Sequence, residues 1–67
     1  MYKYNHIYTA KDGTQYKLWA ERDDYGWRKY GWNIWRFGNW YDDTTGGYWT
    51  AAERDQGFRR LLRGEEV

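Results

Sequence analysis

Hydrophobic and polar positions along the chain change period twice, and the changes mark the elements. From Tyr2 to Ala10, Tyr2, Tyr4, His6 and Tyr8 alternate with Lys3, Asn5, Ile7 and Thr9. Strict alternation over residues that favour extended backbone predicts a strand over 2–10. Lys11-Asp12-Gly13-Thr14 follows, and a second alternating run covers 15–22. Asp-Gly between two such runs is a strong hairpin signal, because both central positions of a two-residue turn need positive φ. With that turn, Lys11 faces Thr14, Thr9 faces Tyr16, Ile7 faces Leu18 and Asn5 faces Ala20. One face then collects the aliphatic residues, and the other carries Tyr2, Tyr4, His6 and Tyr8 opposite Lys17, Trp19 and Glu21.

Asp23-Asp24-Tyr25-Gly26 reads as a turn, and 27–37 as a longer third strand. Gly31 in its middle predicts a bulge. Ile34 on the aliphatic face brings Trp32 and Arg36 with it and sends Asn33, Trp35 and Phe37 to the opposite face. Gly38-Asn39 is a tight-turn pair, 40–42 a short fourth strand, and 43–47 a loop. The period then becomes helical over 50–63. Thr50-Ala51-Ala52-Glu53 is a capping box, with Trp49 bracing the entry. Ala51, Phe58, Leu61 and Leu62 share one side, and Arg54, Arg59, Arg60 and Arg63 decorate the rest. Gly64 stops the helix. Gly57 inside it implies a close approach to the sheet. The fold class is α+β: a three- or four-stranded antiparallel meander in a single domain, 1–67, with one C-terminal helix on one face.

Composition sharpens this picture. A chain of 67 residues is one small domain, and small domains need disulfides, metal, association or large core residues. Cys is absent and His6 is the only histidine, so neither disulfides nor a tetrahedral zinc is expected. Aliphatics are few (Ile7, Leu18, Ile34, Leu61, Leu62 and Val67), while aromatics make up 24% of the chain, including six Trp and eight Tyr. Large rings replace aliphatic mass. One helix covers one sheet face, and nothing remains to cover the other, so some Trp and Tyr must face solvent or a partner. With no apolar leader, no membrane-length run and no Cys, the expected compartment is the cytoplasm.

The chemistry of catalysis is thin. There is no Cys or Ser nucleophile, and a triad would have to pair His6 with a Thr. Asp23-Asp24 and Asp42-Asp43 are paired carboxylates of the kind that bind Mg²⁺ or act on sugars. Both pairs fall in turn-like segments, where Asp is favoured for its backbone hydrogen bonds. No phosphate loop, dinucleotide fingerprint or EF-hand is present. The chain is expected to be no enzyme and to need no cofactor.

The signal lies in Tyr25–Tyr41, where eight of seventeen residues are aromatic. That segment carries Arg28, Lys29 and Arg36 and no acid, for +3. The part before it is neutral (four bases, four acids), and the part after it is −2 (four bases, six acids), which gives the chain's +1. Trp, Tyr and Arg are the residues enriched at binding hot spots. Trp19, Trp35, Phe37 and Arg36 are the expected partner-binding residues, with Trp27 and Arg28 as outer contacts. Arg59, Arg60 and Arg63 form a secondary basic patch. Another protein is the expected partner; a homodimer and a nucleic acid are alternatives, and a membrane is not expected. Stand-alone binders of this size are typical of phage and mobile-element accessory proteins, anti-CRISPR inhibitors among them.

A sheet backed by a C-terminal helix resembles, in topology, AP2-type and integrase arm-type DNA-binding domains, which use Arg and Trp of the sheet on DNA. That resemblance implies a nucleic-acid-binding sheet face. A net charge of +1 argues against it, because dedicated nucleic-acid binders are strongly basic.

Overall fold

The computed structural model describes residues 2–44 and 46–65. Four strands and a helix follow in chain order: β1 Tyr8–Thr9, β2 Gln15–Arg22, β3 Arg28–Arg36, β4 Asn39–Asp42 and α1 Ala51–Leu62. The strands form one antiparallel sheet in the order β1-β2-β3-β4, and α1 packs across β3. This is the α+β meander that the sequence pattern predicts.

The first strand differs from its expected form. β1 is confined to two residues rather than 2–10, and its register is shifted by one: Tyr8 faces Tyr16, and Thr9 faces Gln15. The cause is the loop. Ala10 N–H donates to Thr14 O at 2.8 Å and Gly13 N–H donates to Ala10 O at 2.9 Å, so Lys11, Asp12 and Gly13 form a three-residue connection. Gly13 sits at φ +90°, the left-handed residue that such a loop requires. A slip of one residue exchanges the faces of a strand. Tyr8 therefore packs toward the helix, while Ile7 is 49% exposed instead of lying against Leu18. The β2–β3 connection has the same form. Asp23 N–H donates to Trp27 O, Gly26 N–H donates to Asp23 O, and Gly26 sits at φ +84°.

The third hairpin has a true two-residue turn, but one position earlier than Gly38-Asn39. Arg36 pairs with Asn39, and Phe37 (φ +50°) and Gly38 (φ +77°) form the turn. Positive φ at both central positions is the type I′ geometry, in which Phe is an unusual occupant. Phe37 is thus at the tip of the hairpin, 91% exposed, and not on a sheet face.

The register of β2 and β3 sets the two faces. Tyr16 faces Ile34 and Leu18 faces Trp32, and these four are buried under α1 with Ala10 and Phe58. Phe58 is the hub. Tyr2, Tyr8 and Tyr16 present their rings to it at 85°, 84° and 87°, with Trp32 tilted against it at 38°.

The helix begins at Thr50, whose Oγ1 accepts from Glu53 N–H at 3.2 Å. The Glu53 carboxylate does not reach the cap amide; it accepts from the Thr50 hydroxyl at 3.0 Å. At the far end Gly64 (φ +82°) closes a Schellman motif: Gly64 N–H donates to Leu61 O, and Glu65 N–H to Arg60 O. At Gly57 α1 makes a close approach to Tyr48 and Trp32, since a Cβ there would lie 2.7 Å from the Tyr48 hydroxyl.

Arg54 does not decorate the surface. It is buried, with Nε on the Asp55 carboxylate at 2.8 Å and Nη1 donating to the Tyr4 hydroxyl and the Trp19 carbonyl, each at 3.2 Å. Its guanidinium also lies against the rings of Tyr4 and Tyr30. This one side chain ties helix, sheet and N-terminal segment together.

Candidate aromatic docking face

The sheet face opposite α1 is built from the odd-numbered residues of β2 and β3. Lys17, Trp19 and Glu21 come from β2; Lys29, Gly31, Asn33 and Trp35 come from β3. Trp40 and Asp42 join them from β4, opposite Trp35 and Asn33. Trp27 just precedes β3. Trp49 reaches the same face because Tyr48 rejoins the sheet opposite Tyr30, turning its own side chain toward Trp32 and the next one the other way. Five of the six Trp therefore lie on this face, and Trp32 alone is in the core.

Two edge-to-face indole pairs stand at the ends of the face. Trp35 and Trp40 have ring centroids 5.2 Å apart, with Lys17 Nζ 4.8 Å from the Trp40 centroid. Trp27 and Trp49 are 6.5 Å apart, with Lys29 Nζ 4.6 Å from Trp49. Each is an aromatic pair with a cation laid on one ring. Trp27 is 65%, Trp49 61% and Trp35 42% exposed. Among the described residues, the indole N–H groups of Trp27, Trp35, Trp40 and Trp49 meet no acceptor.

Trp19 occupies the middle and is half-buried. Its ring and Thr44 Oγ1 cover Gly31, and a Cβ at Gly31 would overlap both. Gly31 is therefore a site of close approach and not a bulge; its pairing with Trp19 is regular. The loop after β4 folds onto this face and covers part of it, so the face is not wholly bare: a Cβ at Gly47 would lie 2.8 Å from Trp19 Cη2. A shallow depression of about 160 Å³ remains at the centre, lined by Trp19, Glu21, Asn33 and Asp42.

Three of the four paired carboxylates have structural duties. Asp23 Oδ1 accepts from Tyr25 N–H and Trp27 N–H and closes the second hairpin. Asp42 and Asp43 serve opposite faces. Asp42 Oδ1 accepts from the Trp19 indole, Thr44 N–H and the Thr44 hydroxyl, at 3.2, 3.0 and 2.7 Å. Asp43 Oδ2 accepts from the Trp32 indole at 3.1 Å. Among the described residues no cluster of His, Asp and Glu is arranged to hold a metal ion.

For Asp42, burial pushes the carboxyl upward, but the hydrogen bonds from Thr44 and Trp19 outweigh it and hold its pKa below the ordinary 3.8. A depressed pKa contributes stability above the unfolded-state value and loses it as pH falls through the folded-state value. The NMR shift of the Trp19 indole proton should thus titrate with a midpoint below pH 3.8. A transition centred above 3.8 would mean that the bond to Asp42 is not formed.

The residues singled out from the sequence divide between the two sides. Trp19, Trp27 and Trp35 come together on the open face. Arg28 and Arg36, at even positions, turn to the other side. Arg28 lies against Tyr30. Arg36 and Phe37 meet instead at a separate concavity of about 370 Å³ with Ile34, Tyr41, Asp42 and Asp43. Arg59 and Arg60 lie on α1 and Arg63 is its C-cap, on an element that does not form the open face; Arg60 and Arg63 pair with Glu65. Sequence reading missed Trp40 and Trp49 as members of the face. Trp40 was legible, since it falls opposite Trp35 once the turn is placed at Phe37-Gly38. Among the described residues no helix is long and apolar enough to cross a membrane. No protein-family model, no curated protein and no solved structure matches this chain significantly.

Proposed function

We propose that this chain is a non-enzymatic module that docks onto another protein through the indole-bearing face of its sheet. The observation that carries the reading is the partition of the tryptophans, with five on the side that α1 does not cover. A monomer that used Trp only as core filler would not place exposed indole pairs at both ends of one face. Exposed Trp with free N–H donors supplies large contact area and a directional bond, the combination that dominates interface energetics.

The charge of the face favours a protein. Lys17 and Lys29 are balanced by Glu21 and Asp42, whereas a phosphate backbone calls for net positive charge. The mode of action in this reading is steric: the face covers a surface that the partner uses elsewhere. Inhibition of a host defence protein, as by phage accessory proteins, is the specific form we favour. Nucleic acid is the second reading, supported by exposed rings on which bases can stack beside two ammonium groups.

The test is capture from nuclease-treated lysate by the parent chain and by Trp35→Ala, with circular dichroism to show that the variant folds. A single protein held by the parent should bind the variant at least about tenfold more weakly, in keeping with a hot-spot loss of ~2 kcal/mol. Equal capture by both would end the reading. Binding to a short oligonucleotide that collapses steeply with added salt would replace it with the second.

A further inference from the structure

One edge of the sheet lacks hydrogen-bonded neighbours among the described residues, although Leu18 on it is buried. Asp23 N–H donates to Trp27 O, which fixes the alternation of the β2–β3 ladder. Odd residues of β2 turn their backbone groups toward β3, and even residues turn theirs outward. Tyr16 uses its outward groups on Tyr8, and there the ladder with β1 ends. Leu18, Ala20 and Arg22 continue the edge. Among the described residues, no backbone or side-chain hydrogen bond is made to their outward N–H and C=O groups.

Unpaired edges are templates for strand addition, and proteins commonly blunt them with proline or a bulge. β2 has neither: the chain contains no Pro, and the β2–β3 register runs unbroken. Its sequence is instead complementary to itself. In an antiparallel pair centred on Ala20, Leu18 lies opposite Arg22, Trp19 opposite Glu21, and Lys17 opposite Asp23. The two-fold axis repeats the Lys17–Asp23 pairing, so each end of the ladder gains an opposite-charge pair once Lys17 swings from the Trp40 ring to the edge. Asp23 has an oxygen free for it, since both bonds to its turn go to Oδ1. The central residue is small, and α1 lies over β3.

We infer that two copies of this chain pair through the Leu18–Arg22 edge of β2, antiparallel about Ala20, into one continuous sheet. The pairing does not depend on the proposed docking function. It places both indole faces on the same side, because odd residues face odd residues across the axis.

Sedimentation equilibrium over a range of concentrations tests this with the full chain. The weight-average mass should rise above the 8.3 kDa monomer toward twice that value. Isotope-filtered NMR of a mixed-label sample should show contacts between the Hα protons of Trp19 in one copy and Glu21 in the other. Ala20→Pro removes an outward N–H and leaves the β2–β3 bonds in place. It should weaken association at least about tenfold, since the lost bond occurs twice. Lys17→Asp is a second variant that does not touch the backbone. It sets like charges against Asp23 and should weaken association about threefold or more at low salt, with recovery as salt rises. A mass that stays at the monomer value overturns the inference. So does association that survives both variants, or that is abolished by Trp35→Ala and untouched by Ala20→Pro.

Discussion

Phe58→Ala should cost about 4–5 kcal/mol, the upper end of what truncating a buried ring costs. Phe58 is wholly buried, and four aromatic rings from three parts of the chain converge on it: Tyr2 and Tyr8, Tyr16, and Trp32. Three meet it edge to face, a geometry that contributes beyond area alone. Those rings are stiff and belong to different elements, so they cannot collapse into the space that Ala leaves. A domain of this length has roughly 3–10 kcal/mol in total. The variant should therefore be largely unfolded, or melt at least about 20 °C lower, when followed by circular dichroism. Phe58→Leu should retain most of the stability, at a cost of about 1–1.5 kcal/mol. A loss below about 2 kcal/mol for the Ala variant would show that the ring cluster is not the hub described here.

Arg54 gives the second large effect. Arg54→Met keeps the apolar stem but removes the charge from beside Asp55, the donors to the Tyr4 hydroxyl and Trp19 carbonyl, and both ring contacts. Stranding the partners of a buried, hydrogen-bonded cation should cost about 2–4 kcal/mol in equilibrium unfolding. Arg54→Lys should rescue little. One ammonium cannot serve two rings and three acceptors, whereas a planar guanidinium offers donors in several fixed directions. Because Tyr4 is held through Arg54, exchange of the neighbouring Lys3 amide, which donates to the Tyr8 hydroxyl, should accelerate in both variants. Wild-type stability in Arg54→Lys would mean that the charge alone matters and the fork geometry does not.

Much of this architecture was legible in the sequence because its signals are local. Thr50 with Glu53, and Gly64 past the last apolar pair, bracket α1 to within one residue at each end. β2 has the predicted limits, and Asp12-Gly13 lies in a real turn. What local pattern could not supply was loop length. Lys11-Asp12-Gly13 fits a two-residue turn by composition and a three-residue loop by hydrogen bonding, and the difference exchanges Ile7 for Tyr8 at the helix interface. The same ambiguity moved the third turn by one position and put Phe37 at its tip instead of on the face.

Arg54 failed for another reason. An arginine on a helix is ordinarily solvated, and beside the adjacent Asp55 its burial relies on Tyr4, Tyr30 and Trp19, all distant in sequence. At the site, the Trp-rich open face followed from counting layers. The separation of Arg28 and Arg36 from that face also follows from their even positions, yet proximity in sequence grouped them with the tryptophans.

The contacts that close the molecule also order its assembly. Hairpins β2–β3 and β3–β4 join neighbours in the chain and can form as soon as they are synthesised. The N-terminal residues cannot settle so early. Tyr2 and Tyr8 rest on Phe58, Tyr4 on Arg54, and Lys11 N–H bonds to Leu62 O. During synthesis residues 2–11 must therefore wait for α1, which is made after them, before they gain their place, and until then the meander carries its helix-side rings uncovered.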